Sequence, residues 1–325
     1  MMRLEKYKEK LNKLYKKLQR FDPNRADNDY KELDKFFDTV YKSGVLEITH
    51  LPKELQDSFK LELFTTLSKV SGSMAFLVIQ ILAANNIMSK HDYKKKEHYF
   101  NKKCGIAINH LRAPFTVVSA IKCEGGYKLN GILTWASGYK IFDTLLIGFH
   151  CEGFEYEALS AFETAEGFSI GNADETFTGY GLNTVNIELK EFFVKDEDIV
   201  SSNPMGNYTK QKSASKTVHF CLYALGVCAI EESGDEEFKK EASKKLENIK
   251  DSLIKSGDID ELDSLRVELF CLVQDIVTTA MILIGGKSIL SSQNLQRVYR
   301  ELIMFNSNGL NDTLKSLFKK RFLKN

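Results

Sequence analysis

The hydrophobic period of this chain changes twice, and that change restricts the folds open to it. Up to about residue 100 the apolar residues recur at helical spacing. Leu33, Phe36, Phe37, Val40 and Tyr41 share one face, and Leu55, Phe59, Leu63 and Leu67 share another, with breaks at Gly44 and at Leu51-Pro52. From Cys104 to about Val200 the texture turns to short runs rich in Val, Ile, Phe and Thr. Glycines separate them, at 125, 126, 131, 138, 153, 167, 171 and 181. That pattern predicts strands over 115–122, 127–134, 144–151, 156–163 and 183–194. After Pro204 the helical period returns, with helices expected over 215–231, 235–255, 259–284, 292–305 and 309–323. The chain therefore reads as an α+β multidomain protein. Residues 1–103 form an N-terminal α-helical domain, 104–202 a middle β-barrel or sandwich domain, and 203–325 a C-terminal antiparallel helix bundle.

With 325 residues, of which 43% are hydrophobic and 27% charged, the chain has enough apolar material for sizeable cores. A formal net charge of +1 sets up no global field, so no nucleic-acid partner is expected. Both ends are locally basic, with eight Lys/Arg in residues 1–20 and Lys315, Lys319, Lys320, Arg321 and Lys324 near the other end. Solvated helix faces account for them, because Leu4, Tyr7, Leu11, Leu14 and Leu18 lay an apolar stripe beneath the first set. The most apolar window, residues 70–88, is interrupted by Ser71, Ser73, Gln80, Asn85 and Asn86 and is expected to be a buried helix, not a membrane span. Six cysteines without a C-x-x-C pair fit reduced core residues and a cytoplasmic protein. No metal site is expected: Glu47 and His50 form the single Glu-x-x-His spacing, and it ends at the Leu51-Pro52 break.

The chain's one tryptophan stands in Thr134-Trp135-Ala136-Ser137-Gly138, where a strand-like run meets a Ser-Gly turn. Two readings are open from these residues. In one, Trp135 plugs a core and Ser137 caps a turn. In the other, the indole offers a flat face to a planar partner whose polar edge meets Ser137 and nearby backbone, a description that a flavin fits.

Three features together carry a family resemblance: the helix, strand, helix order; Gly126-Tyr127-Lys128-Leu129-Asn130-Gly131 followed by Trp135-Ala136-Ser137-Gly138; and Ile284-Gly285-Gly286 followed by Arg297-Val298-Tyr299-Arg300-Glu301. The chain resembles the acyl-CoA dehydrogenase superfamily over nearly its whole length. The resemblance implies FAD as cofactor, with Trp135, Ala136, Ser137 and Gly138 beside the flavin ring. It also implies that Gly285 and Gly286 approach the adenosine diphosphate part, and that the chain forms a homodimer or homotetramer. The segment Asn109-His110-Leu111-Arg112-Ala113-Pro114 stands where the family has a flavin-wrapping loop of different sequence. His110 and Arg112 there suit a phosphate or carboxylate, or else an ordinary surface turn.

One departure bears on chemistry. Where the resemblance implies a glutamate that removes the substrate's α-proton, Asn308 stands, and an amide accepts no proton at useful pH. The alternative position, on the first C-terminal helix, holds Lys216, with His219 nearby; His219 reads more readily as a core histidine. The catalytic residue is thus unassigned. The leading expectation is a flavin-dependent oxidoreductase acting on an acyl-CoA or another small molecule. The alternatives are a flavin-dependent monooxygenase, whose Trp/Phe-Ala-Ser-Gly turn Trp135–Gly138 resembles, and a non-catalytic relative.

Overall fold

A computed structural model describes residues 2–49, 51–100, 102–113, 115–210, 215–307 and 310–324. In chain order these form α1 (Met2–Leu18), α2 (Pro23–Asn28), α3 (Tyr30–Tyr41), α4 (Lys53–Val70), α5 (Gly72–Lys90) and α6 (Lys96–Phe100). The strands follow as β1 (Cys104–Ala107), β2 (Val118–Cys123), β3 (Gly126–Ala136), β4 (Thr144–Cys151), β5 (Phe154–Ala161), β6 (Phe168–Ala173), β7 (Val185–Lys195) and β8 (Ile199–Pro204). The chain continues as α7 (Asn207–Lys210), α8 (Thr217–Glu232), α9 (Glu236–Lys255), α10 (Ile259–Ile284), α11 (Asn294–Asn306) and α12 (Asp312–Lys324). Two compact units result: one made of Met1–Phe76, Phe177–Gly179 and Ser213–Asn325, the other of Leu77–Thr176 and Tyr180–Lys212.

The first unit is helical. Its helix starts are fixed by side chains that satisfy otherwise orphaned N–H groups: Asp22 accepts from Asn24 and Arg25 ahead of α2, Asp29 from Lys31, Asp235 from Phe238 and Asp258 from Glu261. α8 is apolar all round, so it takes the centre, against α4, α9, α10 and α11. The centre also holds charge. Arg297 and Glu301, one turn apart on α11 and both fully buried, pair at 2.6 Å, and Glu301 accepts the Gly72 N–H at the start of α5. Buried Asp27 pairs with Arg300 at 2.6 Å and accepts from Ser73 Oγ and the Gly179 N–H, which pins residues 177–179 to this unit.

The second unit is built on one eight-stranded sheet in the order β6-β7-β3-β2-β4-β5-β8, with β1 parallel to β4. β2 and β4 meet, parallel, through the single pair Ser119 and His150. Residues of β5 and β7, which have three strands between them along the hydrogen-bonding path, line one cavity. Every residue of β4 is buried. One core cluster joins Ala84 and Met88 of α5 to Cys104, Ile108, Leu111, Leu146, Leu159 and Val200.

The strands β1, β6 and β8 escape the sequence pattern. β1 is four residues long, β6 carries Gly171 and Asn172, and β8 reads Ile-Val-Ser-Ser-Asn-Pro on a sheet edge, where a proline costs no ladder bond. Two helices, Gly72–Lys90 and Ile259–Ile289, are long and apolar enough to cross a membrane by length and composition. The first is 67% buried within the protein and serves as a core helix. Among the described residues no group of His, Cys, Asp or Glu is arranged to hold a metal; His50 lies outside them.

Candidate functional site

The end of β3 departs from regular pairing. Between Leu133 and Ala136 that strand advances three residues while β7 advances two, from Ile187 to Val185. The extra residue makes a β-bulge, and Trp135 in it adopts φ +60°, a left-handed conformation rare for a bulky side chain. Alternation along the strand is thereby lost. Thr134 and Trp135 both face outward while Leu133 and Ala136 are fully buried, and the indole is 63% exposed. The Trp135 N–H reaches Asn186 Oδ1 at 3.4 Å.

The residues that follow turn inward. Ser137 is buried, and its hydroxyl lies 2.8 Å from that of Thr184, which is equally buried. Gly138 has φ +91° and donates its N–H to the Leu182 carbonyl at 2.7 Å; a Cβ there would lie 2.2 Å from the Phe142 ring. Glycine alone fits this turn. Its carbonyl accepts from the N–H groups of Ile141 and Phe142, and Asn183 Nδ2 donates to the Tyr139 carbonyl. Two chain segments, Trp135–Gly138 and residues 182–186, therefore make one polar rim beside an exposed flat ring. Residues 182–186 carry no motif; Thr184 is visible as a partner only once β7 is placed against β3. The arrangement suits a planar heteroaromatic ligand: an apolar face from the indole, on a segment that the buried hydroxyl pair holds in place.

No family model matches the sequence, and no curated protein matches it. Solved structures match over almost the full length. Butyryl-CoA dehydrogenase of Megasphaera elsdenii superposes with a TM-score of 0.79 at 12% identity, covering 98% of this chain and 97% of that one. The nitrososynthase of Micromonospora carbonacea var. africana gives 0.77 at 12% identity, with 97% and 96% covered. Dibenzothiophene monooxygenase of Paenibacillus sp. A11-2, also solved with FMN bound, gives 0.74 at 13%, with 98% and 97% covered.

The chain has the acyl-CoA dehydrogenase fold. The residues singled out in its sequence fall into distinct places. Trp135, Ala136, Ser137 and Gly138 come together at the bulge and its rim, with Ala136 buried beneath them. His110 does not turn outward. Its Nε2 meets the Gly148 carbonyl at 2.9 Å, and burial pushes its pKa down to about 4, so the ring is neutral at pH 7. That leaves Arg112 as the cation of the segment, exposed, with its guanidinium 5.8 Å from the Tyr208 ring centre. Tyr208 is itself tied down by its hydroxyl, which donates to buried Glu157.

Gly285 and Gly286 belong to the helical unit. Gly285 caps α10 with φ +76° and an N–H to the carbonyls of Met281 and Ile282, and open space surrounds both glycines. The cap and the close approach of a ligand remain compatible there. Asn308 lies outside the described residues. The two other candidates for a base are committed elsewhere. Lys216 is buried, with Nζ 3.4 Å from both the Ile254 carbonyl and Asp57. His219 meets the Leu262 carbonyl at 2.9 Å, and burial holds its pKa near 4.

Proposed function

We propose that this protein is a flavin-dependent oxidoreductase that holds the ring system of FAD against Trp135 and acts on an acyl thioester or a related small molecule. The observation that carries the reading is the bulge at Trp135. A bulky residue forced to φ +60° with its ring 63% exposed loses both backbone comfort and burial. Such strain persists where a functional contact rewards it. The flavin, when bound, supplies the electron-transfer chemistry. The chain's residues supply position: Trp135 offers the stacking face, the buried Ser137–Thr184 hydroxyl pair ties its segment to residues 182–186, and the Gly138 turn fixes both.

Within this reading, flavin-dependent oxygenation is favoured over desaturation of the substrate. Desaturation needs a base for the α-proton. Lys216 and His219 are buried and engaged with carbonyl groups, and the sequence has Asn308 at the remaining position. A homodimer is part of the proposal. Ile282, Leu283, Ile289 and Leu290 form an exposed apolar stretch at the end of α10, 47 to 77% accessible, of the kind a second copy covers.

The test is spectroscopic. Purified protein is expected to show the visible absorbance of oxidised flavin, or to acquire it when FAD or FMN is added. Trp135→Ala is expected to weaken that binding. With flavin bound, anaerobic acyl-CoA is expected to leave the colour unbleached, and bleaching would restore the dehydrogenase reading. A colourless protein that neither flavin reconstitutes would make the chain a non-catalytic relative.

A further inference from the structure

A second cavity-borne site stands apart from Trp135. The cavity between β5 and β7 has a volume of about 200 Å³. The rings of Tyr99 and Phe192, both half-buried, and two carboxylates, Glu163 and Asp198, contribute to its lining, Phe168 stands fully buried behind Phe192, and no lysine, arginine or histidine takes part. Phe168 and Phe192 meet edge to face with ring centres 5.0 Å apart, which holds the wall in place. Phe193, the next residue of β7, sends its ring to the other face of the sheet and borders the cavity through its backbone.

That combination selects for charge. Aromatic faces carry negative potential and carboxylates add to it, so an anion is repelled and a cation with an apolar surface is favoured on both counts. The surroundings already attract ammonium groups in both ways. Lys102 Nζ sits 5.5 Å from the Tyr99 ring centre, and Lys95 Nζ lies 3.5 Å from Asp198. Among the described residues Glu163 has no ion-pair partner. The volume falls below the ~300–1,000 Å³ of drug-sized sites, so the guest is small. We propose that this cavity binds a small organic ammonium ion of the choline type, its alkylated nitrogen against Tyr99 and Phe192 and its charge facing Glu163.

The probe is choline, compared with 3,3-dimethylbutan-1-ol, which has the same shape without the charge; both are titrated by calorimetry and by saturation-transfer NMR on the full chain. Choline is expected to bind at least about fivefold more tightly than the alcohol, as a cation against an aromatic face implies. Glu163→Gln and Phe192→Leu, neither at a fully buried position, are each expected to weaken choline by about three- to tenfold. Glu163→Gln is expected to leave the alcohol unchanged. Lys95→Ala removes a competing ammonium from Asp198 and is expected to tighten choline. Equal binding of the two probes, indifference of choline to both weakening variants, or no choline binding at tens of millimolar would overturn the proposal. None of these outcomes depends on flavin.

Discussion

The hydroxyls of Ser137 and Thr184, 47 residues apart in the chain, lie 2.8 Å from each other with neither side chain open to solvent. Removing one leaves the other buried with a lost partner, which costs about 1–3 kcal/mol, whereas removing both leaves nothing unsatisfied. Ser137→Ala and Thr184→Val are therefore each expected to destabilise the protein, and the double variant by clearly less than their sum. Urea denaturation of the four proteins in a double-mutant cycle measures this. Strict additivity would show that the two hydroxyls do not depend on each other. In the flavin-bound protein the same variants are expected to shift the visible absorption bands.

The strain at Trp135 can be separated from its ring. Trp135→Ala and Trp135→Gly both delete the indole, but only glycine adopts φ +60° without steric cost. The left-handed conformation costs an L-residue roughly 1–2 kcal/mol. Glycine's extra freedom in the unfolded chain offsets part of that. The Gly variant is expected to be the more stable of the two by about 1 kcal/mol or less. Both are expected to bind flavin about tenfold or more weakly than the unaltered chain, the scale of one lost stacking contact. Thermal melts and flavin titration read the two effects independently.

What the sequence reveals depends on how local the cause is. The starts of α9 and α10 at Asp235 and Asp258 are legible because a cap acts within three residues, and α10 begins and ends where its period predicts, whereas the short α2 behind Asp22 has no apolar period to announce it. Trp135 and Gly138 stand out in the sequence as an isolated aromatic and a turn glycine. Thr184 does not, since its role exists only after β7 is paired with a bulged β3. His110 and Arg112 look alike in sequence, yet one is turned onto the Gly148 carbonyl and the other left in solvent, because the backbone between them is a 3-10 turn whose Leu111 fills the core. β6 and β8 are edge strands, and edges relax the apolar alternation that makes strands readable.

His110 and His219 make stability depend on pH. Burial holds both pKa values near 4, below the 6.5 of an unfolded histidine. Between those values the unfolded chain takes up protons that the folded one refuses, so their contribution is fully present above pH 6.5 and is lost as pH falls to about 4. Each accounts for at most roughly 3 kcal/mol. Denaturation midpoints are expected to drop over that window. His110→Gln and His219→Gln keep a donor for the Gly148 and Leu262 carbonyls and are each expected to flatten the profile. A slope unchanged in both variants would place its origin in other groups.

Arg297 and Glu301 make the severest case. Both are fully buried, their 2.6 Å pair is internal to α11, and Glu301 also accepts the Gly72 N–H at 2.8 Å. Glu301→Gln leaves a guanidinium uncompensated in the core, a loss of about 3–5 kcal/mol. Gly72→Ala attacks the same contact from the other side, since its Cβ would lie 2.7 Å from the Glu301 carboxyl carbon, itself enclosed. Replacing the pair together, as Arg297→Met with Glu301→Leu, removes both charges and is expected to cost less than Glu301→Gln alone, because desolvation of the pair offsets most of its attraction. Chemical denaturation of the three variants orders them. If the double variant proved the least stable, the pair would be a net source of stability and the Gly72 contact a minor part of it.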